Sequence, residues 1–129
     1  MIAEPDLISI VDDDESVRQA LDALLRAAGL RVRSFASAEA FLLSEAAPAN
    51  SCLILDLRLP GMTGLTLQHW LVRQRLRLPV IFLSGHGDDQ SRARALSSGA
   101  VEFFSKPVDA EVLLRAVASV VAGAETRLS

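Results

Sequence analysis

The sequence lacks the features that disulfide-bonded, metal-thiolate and membrane proteins share. It contains a single cysteine, Cys52, so neither an internal disulfide nor a metal cluster built on thiolates can form within one chain. No apolar stretch approaches the roughly 18 residues that a membrane helix requires. The N-terminal stretch MIAEPDLISIV carries acids where a signal peptide would need bases. These absences predict a cytoplasmic protein with no membrane partner, in which Cys52 is a small buried side chain.

Length and charge narrow the class of protein further. The chain has 129 residues, half of them hydrophobic, and a formal net charge of -3, which fits a single globular domain with one core. Arginines that could contact nucleic acid lie in two short segments, Arg73, Arg75 and Arg77 in one and Arg92 and Arg94 in the other. Because the net charge is negative and helix-end arginines usually lie on a solvated face, we predict no direct binding to nucleic acid.

Short apolar segments alternate with stretches of helical period along the chain, which is typical of βαβ units with a parallel sheet. Five segments are predicted to be strands: LISIV (7–11), LRVRSF (30–35), SCLILD (51–56), PVIFLS (79–84) and AVEFF (100–104). The first, third and fourth are almost wholly apolar, whereas the second alternates and the fifth contains a glutamate. Continuous apolar strands lie inside a parallel sheet and mixed ones at its edges. The sequence therefore predicts a doubly wound α/β fold with strand order 2-1-3-4-5.

Two of the predicted helices carry an apolar stripe that a sheet must cover. The first stripe consists of Val17, Ala20, Leu21, Leu24, Leu25 and Ala28, and the last of Leu113, Ala116, Val117, Val120 and Val121. Ser37 and Asp109 are predicted N-caps, and Gly29 and Gly99 come just past helices, where a left-handed residue is favoured. Right-handed crossovers then distribute five helices over both faces of the sheet.

Acidic side chains follow two of the central strands. Asp12, Asp13 and Asp14 come directly after the first strand, and Asp56 ends the third. Because the functional crevice of a doubly wound sheet lies beyond the carboxyl ends of its strands, at least two of these three acids are expected to face Asp56. Close carboxylates repel by about 1 kcal/mol per pair in water and about 4 kcal/mol at an effective dielectric of 20, so they need a cation. Hard oxygen ligands suit Mg²⁺, and we assign Asp14 instead to capping the first helix.

Two further polar residues are expected at the same edge of the sheet. Lys106 follows the fifth strand and would neutralise part of the acid cluster, and Ser84 ends the fourth strand before a glycine-rich turn. An aspartate can accept a phosphoryl group as an acyl phosphate while a metal ion and a lysine neutralise charge on the transferring oxygens. Asp56 is therefore the predicted phosphoryl acceptor. His86 and His69 are predicted to be solvated residues without a role in the site.

Four stretches of the sequence are similar to a known family: VDDDESVRQAL, LDLRLPGMTGL, PVIFLSGHGD and GAVEFFSKP. Over residues 5 to about 122 the chain resembles a two-component response regulator receiver domain, and within that group it is most similar to the FixJ-type transcriptional regulators. The resemblance implies the flavodoxin/CheY-like (βα)5 fold. It also implies a receiver domain over residues 1–122, followed at 123–129 by a C-terminal tail or the start of a linker to an output domain absent from this chain.

The resemblance implies a set of Mg²⁺ ligands, with Mn²⁺ as a substitute for Mg²⁺. Asp13 would bind the ion directly and Asp12 would bind it through a water molecule. Asp56 and the backbone carbonyl of Arg58 would complete the protein ligands. The metal ion would therefore lie beside the phosphoryl acceptor.

The resemblance also implies the residues that respond to the phosphoryl group. Ser84 would donate a hydrogen bond to it and Lys106 would pair with it. Phe103 corresponds to the aromatic switch residue, which turns inward when Ser84 moves toward the phosphate. The peptide bond between Lys106 and Pro107 is expected to be cis.

The implied function is a signalling switch, with the domain acting as a regulatory phosphoacceptor rather than as an enzyme. A sensor histidine kinase would donate the phosphoryl group to Asp56, and the domain would take part in its own phosphotransfer and autodephosphorylation. Phosphorylation would alter the face formed by the fourth helix, the fifth strand and the fifth helix. It would promote a homodimer in which Arg92 and Arg94 pair with Asp109 and Glu111. Contact with DNA, and thus control of transcription, would come only through an output domain.

Two alternative functions share parts of this pattern. SIVDDDESV also resembles the nucleophile loop of haloacid dehalogenase phosphatases, in which Asp12 would be the nucleophile and Asp109 and Glu111 the later acidic pair. A flavin-binding module shares the strand order, but its first loop must offer hydrogen-bond donors to a phosphate, and three acids there would repel one. The acid that accepts phosphate, Asp12 or Asp56, distinguishes the phosphatase from the switch.

Overall fold

The computed structural model describes residues 6–44, 50–85 and 89–128, with side chains described as far as Gly123. Strands and helices alternate strictly through these residues. In chain order they are β1 Leu7–Val11, α1 Glu15–Ala27, β2 Arg31–Phe35, α2 Ala38–Leu43, β3 Cys52–Asp56, α3 Gly64–Arg73, β4 Val80–Ser84, α4 Asp89–Ser97, β5 Glu102–Ser105 and α5 Ala110–Leu128. No helix among the described residues is both long and apolar enough to cross a membrane.

The five strands form one parallel sheet in the order β2-β1-β3-β4-β5, so the predicted fold and edge strands are confirmed. Every residue of β1, β3 and β4 is buried. The edge strand β2 buries only Val32, and the edge strand β5 buries only Phe103. The apolar runs thus belong to strands that are covered on both faces, as the sequence indicates.

The alternation of side chains along each strand divides the core into two layers. Ile8 and Ile10 of β1 point to one face, where they pack with Leu21 and Leu25 of α1 and with residues of α5. The residues of β3 and β4 that point to the other face, such as Leu55 and Phe82, pack there with α2, α3 and α4. Helices therefore cover both faces, which gives the sheet two hydrophobic layers.

Local capping positions the helices as expected. Asp14 is the N-cap of α1, and Ser37 is that of α2. The Asp109 carboxylate accepts from the N–H of Val112 at 3.2 Å, so it caps α5. Gly29 and Gly99 have φ angles of 88° and 106°, the left-handed conformation that ends α1 and α4.

The structure differs from the sequence prediction at a few places. Ala20 and Ala28 are exposed, because the buried stripe of α1 is narrower than the apolar pattern and its centre is formed by the leucines. β5 begins two residues later than predicted, since the Ala100 N–H donates to the Ala95 carbonyl at the end of α4 rather than to a strand. α5 continues through Leu128 and so enters the segment 123–129. The domain boundary at residue 122 stays a prediction.

Candidate functional site

The carboxyl ends of four strands bring the predicted polar residues to one edge of the sheet. Asp56 is the last residue of β3, and Ser84 is the last residue of β4. Asp12 follows β1, with its N–H bonded to the Phe35 carbonyl at 3.1 Å. Lys106 follows β5, with its N–H bonded to the Ser84 carbonyl at 2.8 Å, and its peptide bond to Pro107 is cis, as expected.

Lys106 connects the two buried carboxylates. Its Nζ donates to Asp12 Oδ2 at 2.6 Å and to Asp56 Oδ2 at 3.3 Å. Asp12 and Asp56 are only 2 % and 6 % exposed, whereas the Lys106 side chain is 21 % exposed. One cation thus faces two buried anions, which leaves the pair of carboxylates only half neutralised.

Asp12 is fixed in place by the start of α1. Its Oδ1 accepts from the N–H of Asp14 at 2.9 Å, and its carbonyl accepts from Arg18 Nη1 at 2.7 Å. Asp14 in turn accepts from the N–H groups of Ser16 and Val17 at 2.9 and 3.3 Å. The three consecutive acids therefore have different environments, and Asp14 caps the helix as predicted.

The protonation equilibria at the site respond to burial and to neighbouring charges. Burial raises the pKa of Asp56 above its usual value, and the charge of the Asp12 carboxylate adds to this effect. Two groups oppose it: the Arg58 N–H, which is bonded to Asp56 Oδ1 at 3.1 Å, and the Lys106 ammonium. Burial alone would lower the pKa of Lys106, but its hydrogen bond to Asp12 and the charges of both carboxylates outweigh burial and raise that pKa. The charged form of Lys106 is therefore favoured at the site, whereas the charged form of the neighbouring Asp56 is disfavoured.

Asp12, Asp13 and Asp56 form a group that could hold a divalent cation. Each offers one carboxylate oxygen, and these oxygens lie within 4.8 Å of one another. Asp13 is exposed, so an ion could keep water ligands on that side. An all-oxygen donor set that leaves room for water fits Mg²⁺ and also Mn²⁺. The residues present therefore suit the predicted ion, and the ligand roles of Asp12, Asp13, Asp56 and the Arg58 carbonyl stay predictions.

The two predicted switch residues lie on the face of the sheet that α4 covers. Ser84 is fully buried and pairs in register with Ser105, and Phe103 is 3 % exposed and pairs with Phe82. The rings of Phe82 and Phe103 are 6.4 Å apart and inclined by 41°. Phe103 thus has the inward orientation in this structure, and its role as a switch stays a prediction.

Several residues weighed in the sequence lie away from this pocket. His69 is exposed, and its Nε2 is 3.1 Å from Ser98 Oγ, in agreement with its predicted surface position. The arginines considered for nucleic-acid binding, Arg73, Arg75, Arg77, Arg92 and Arg94, are all exposed. His86 lies outside the described residues.

Gly64 is a site residue that the sequence analysis missed. It begins α3, and its N–H donates to the Leu57 carbonyl at 3.1 Å. A Cβ at this position would collide with the backbone carbonyl of Asp56, so only glycine lets α3 start this close to the acceptor. The sequence did contain a signal, a glycine in the first turn of a predicted helix. Glycine does not stabilise a helix at this position, so its presence there indicates that another backbone lies close.

A doubly wound sheet with a lysine-linked acid cluster beyond its carboxyl edge defines the receiver class of signalling domains. The family model for the response regulator receiver domain matches residues 8–118, and the chain belongs to this family. Domains of this family are regulatory parts of two-component systems rather than metabolic enzymes. They generally bind Mg²⁺ at an acidic pocket.

The relatives confirm the similarity to FixJ-type regulators. The chain is 48 % identical over 111 residues to the response regulator protein TmoT of Ectopseudomonas mendocina, covering 86 % of this chain and 50 % of TmoT. It is 38 % identical over 110 residues to the transcriptional regulatory protein FixJ of Rhizobium meliloti (strain 1021), covering 85 % of this chain and 54 % of FixJ. The solved structure of FixJ-N matches with a TM-score of 0.82 and 35 % identity, covering 93 % of this chain and 96 % of that chain. This chain spans about half the length of the curated relatives.

Proposed function

We propose that this domain is a phosphorylation-dependent switch in which Asp56 accepts a phosphoryl group from a sensor histidine kinase. The observation that carries the proposal is the position of Asp56, a buried carboxylate at the end of β3 whose Oδ1 is held by the Arg58 N–H and whose Oδ2 faces Lys106. A carboxylate fixed in this way presents its oxygen to an incoming group in one orientation. The proposal rests on this geometry together with membership of the receiver family.

The transfer is a substitution at phosphorus. A carboxylate oxygen of Asp56 forms the new O–P bond while the bond between phosphorus and the kinase histidine nitrogen breaks, and the imidazole keeps the bonding electron pair. Negative charge then accumulates on the phosphoryl oxygens at the carboxyl edge of the sheet. Lys106 pairs with Asp56 at 3.3 Å, so its ammonium would lie beside the oxygens on which this charge accumulates.

Mg²⁺ would be held by Asp13 directly, by Asp12 through water, and by Asp56 with the Arg58 carbonyl. When bound, it supplies positive charge that neutralises the transferring oxygens and offsets the repulsion between the carboxylates. Asp12 contributes by holding Lys106 in place through the 2.6 Å contact to its Nζ. The chain's own groups thus place one fixed ammonium opposite the acceptor before any phosphoryl group arrives.

The signal would leave the site through β4 and β5. Ser84 ends β4 next to the turn that carries Lys106, and a hydrogen bond from its hydroxyl to the phosphoryl group would pull this edge of the sheet toward the acceptor. Phe103, two residues before Ser105, packs beneath α4 and would report that movement to the face formed by α4, β5 and α5. Moving such a switch from 1:99 to 99:1 requires about 5.5 kcal/mol, which several charge-assisted hydrogen bonds can supply.

The output would be an altered contact surface. Arg92 and Arg94 on α4, and Asp109 and Glu111 at the start of α5, are exposed and opposite in charge, so two copies could pair them across a two-fold axis. Exposed charges contribute orientation more than affinity, so the homodimer of the isolated domain would be weak. Control of transcription would follow in a longer protein whose output domain binds DNA, and autodephosphorylation would end the signal.

Mass spectrometry after incubation with acetyl phosphate and Mg²⁺ tests the acceptor. Wild type should gain the mass of one phosphoryl group, Asp56→Asn should gain none, and Asp12→Asn should be labelled more slowly. Asp22→Asn is the matched control, because Asp22 pairs with Arg26 on α1 outside the acid cluster, and it should be labelled like wild type. A label located on Asp12 would contradict the switch and support the phosphatase alternative.

A further inference from the structure

Arg18 of α1 is bonded to the loop that carries two of the acids of the site. Its Nη1 donates to the backbone carbonyl of Asp12 at 2.7 Å. Two carboxylates of α1, those of Glu15 and Asp22, line the same surface pocket, but neither forms an ion pair with Arg18 in the described part of the chain. Carboxylates are frequent partners of arginine. The guanidinium of Arg18 is instead directed to the backbone that follows β1.

The carbonyl that Arg18 binds belongs to the peptide group between Asp12 and Asp13. On one side of this group the Asp12 N–H donates to the Phe35 carbonyl at 3.1 Å, and on the other side the Asp14 N–H donates to Asp12 Oδ1 at 2.9 Å. A peptide group is planar and includes the next Cα atom, so its orientation limits the directions in which the Asp13 side chain can leave the backbone. Arg18 thus holds the one peptide plane that determines where the Asp13 carboxylate can lie.

We propose that Arg18 is a positioning residue for the divalent cation of the acid cluster, and that it orients Asp13 through the Asp12 carbonyl. Asp13 is the exposed member of the cluster, whereas Asp12 and Asp56 are buried. An exposed carboxylate depends on its backbone for orientation more than a packed one does. The inference rests on the proposed function, because it assumes that this cluster holds Mg²⁺.

The charge of Arg18 and its hydrogen bond predict opposite effects on metal binding. A positive charge near the loop repels a cation, so removing it would by itself strengthen the binding of Mg²⁺. Groups that orient metal ligands, in contrast, contribute about 10- to 100-fold to metal affinity. Arg18 is partly exposed, so solvent and salt screen its charge, whereas a charge-assisted bond of 2.7 Å is short and directional. We therefore expect the effect of orientation to be the larger one.

Titration of Mg²⁺ into the ¹⁵N-labelled domain, followed by its backbone amide signals, compares wild type with Arg18→Met. Methionine keeps an unbranched side chain and a high helix propensity but has no donor. Arg18→Met should weaken the binding of Mg²⁺ by about tenfold. The ¹⁵N signal of Asp13 should also shift in the metal-free protein, because the Asp12 carbonyl and the Asp13 N–H belong to one peptide group. A role of Arg18 in stability alone would leave the Mg²⁺ affinity of the folded domain unchanged.

Two further variants separate the hydrogen bond from the charge. Arg18→Lys restores a charged donor and should recover part of the lost affinity, whereas repulsion alone would make it bind Mg²⁺ more weakly than Arg18→Met does. Arg73→Met is the matched control, because it removes the same charge at the exposed end of α3, a helix that rises about 14 Å from Gly64 beside Asp56. Arg73→Met should bind Mg²⁺ like wild type.

Equal or tighter binding of Mg²⁺ by Arg18→Met would overturn the proposal, and so would an Arg18→Lys variant that binds no better than Arg18→Met. In both cases wild type would still bind the ion, so the metal site itself would stand. A wild-type domain that binds no Mg²⁺ at millimolar concentrations would contradict the metal site of the proposed function, and the role of Arg18 would fall with it.

Discussion

The middle of the sheet and its carboxyl edge are built on opposite principles. In the middle, β1, β3 and β4 bury mostly apolar side chains on both faces, and this burial favours the folded state. At the edge, Asp12 and Asp56 are buried with one ammonium between them, and Asp13 adds a third carboxylate. The stability of the middle thus compensates for a site whose carboxylates repel one another until a further cation joins them.

The largest loss of stability is expected when a side chain at the centre of the apolar region is removed. Phe82 is fully buried, and its ring packs beside Phe103. Phe82→Ala should lower the free energy of unfolding by about 3–5 kcal/mol, because it leaves a cavity that the sheet cannot close. Urea denaturation measures the loss, and Leu43→Ala, at a position 84 % exposed, is the control that should change stability by less than about 0.5 kcal/mol. A loss below about 1 kcal/mol for Phe82→Ala would contradict the assignment.

The buried thiol of Cys52 should make the stability of the middle of the sheet depend on pH. Burial raises the pKa of Cys52 from 9.0 to about 12, against a small opposing effect of the Leu53 N–H. Between these values the unfolded chain loses the thiol proton while the folded chain keeps it, so rising pH favours unfolding. At pH 10 this linkage removes about 1.4 kcal/mol of stability.

Denaturation of wild type and Cys52→Ala at pH 8 and pH 10 isolates this effect, because all other groups titrate in both proteins. Wild type should lose about 1.4 kcal/mol more than the variant over this interval. Equal losses would mean that the thiol is accessible to solvent in the folded state.

Mg²⁺ should offset part of the unfavourable charge at the carboxyl edge and so stabilise the domain. We expect binding in the millimolar to submillimolar range, and at five times its Kd the ion should raise the free energy of unfolding by about 1 kcal/mol. Asp13→Ala should abolish this gain. Glu15→Ala, an exposed acid in the first turn of α1 outside the cluster, should retain it. Calorimetric titration of the three proteins measures the same difference directly, and unchanged binding in Asp13→Ala would move the metal elsewhere.

Removing a charge at the carboxyl edge should have the smallest effect on the free energy of unfolding. It should raise this free energy, whereas the loss of Phe82 lowers it. Because the pKa of Asp56 is raised in the folded state, its ionised form is disfavoured there. Asp56→Asn should therefore stabilise the metal-free domain at pH 7, by less than about 1 kcal/mol, since the contact to Lys106 is lost as well. Chemical denaturation in a chelating buffer measures the change, with Asp22→Asn as the control, and a destabilisation would show that the attraction of Lys106 exceeds the repulsion from Asp12.

The fold could be predicted from the sequence because the burial of a strand determines how continuous its apolar residues are. The continuous apolar runs at 51–56 and 79–84 identified central strands, and the mixed run at 30–35 identified an edge. One error occurred where an apolar residue is buried for another reason. Ala100 packs at the end of α4, so its apolar character was wrongly attributed to β5.

The site was predictable to the extent that its residues end strands. Asp56 and Lys106 could be placed at one edge because parallel strands bring their carboxyl ends together. Gly64 could not be identified in this way, since its importance depends on how closely α3 approaches the β3 backbone. Such distances follow from tertiary packing and leave no periodic pattern in the sequence.

The bond between Lys106 and Asp12 joins residues 94 positions apart in the chain. Contacts of such high sequence separation form late, because the entropy of closing a long loop must be overcome before the contact stabilises anything. β5 is the last strand in the sequence, so a folding intermediate with β1 to β4 assembled would contain all the acids but not their ammonium. Under the proposed function, competence for phosphotransfer would then appear only with the final strand pairing, so phosphorylation would also report that folding is complete.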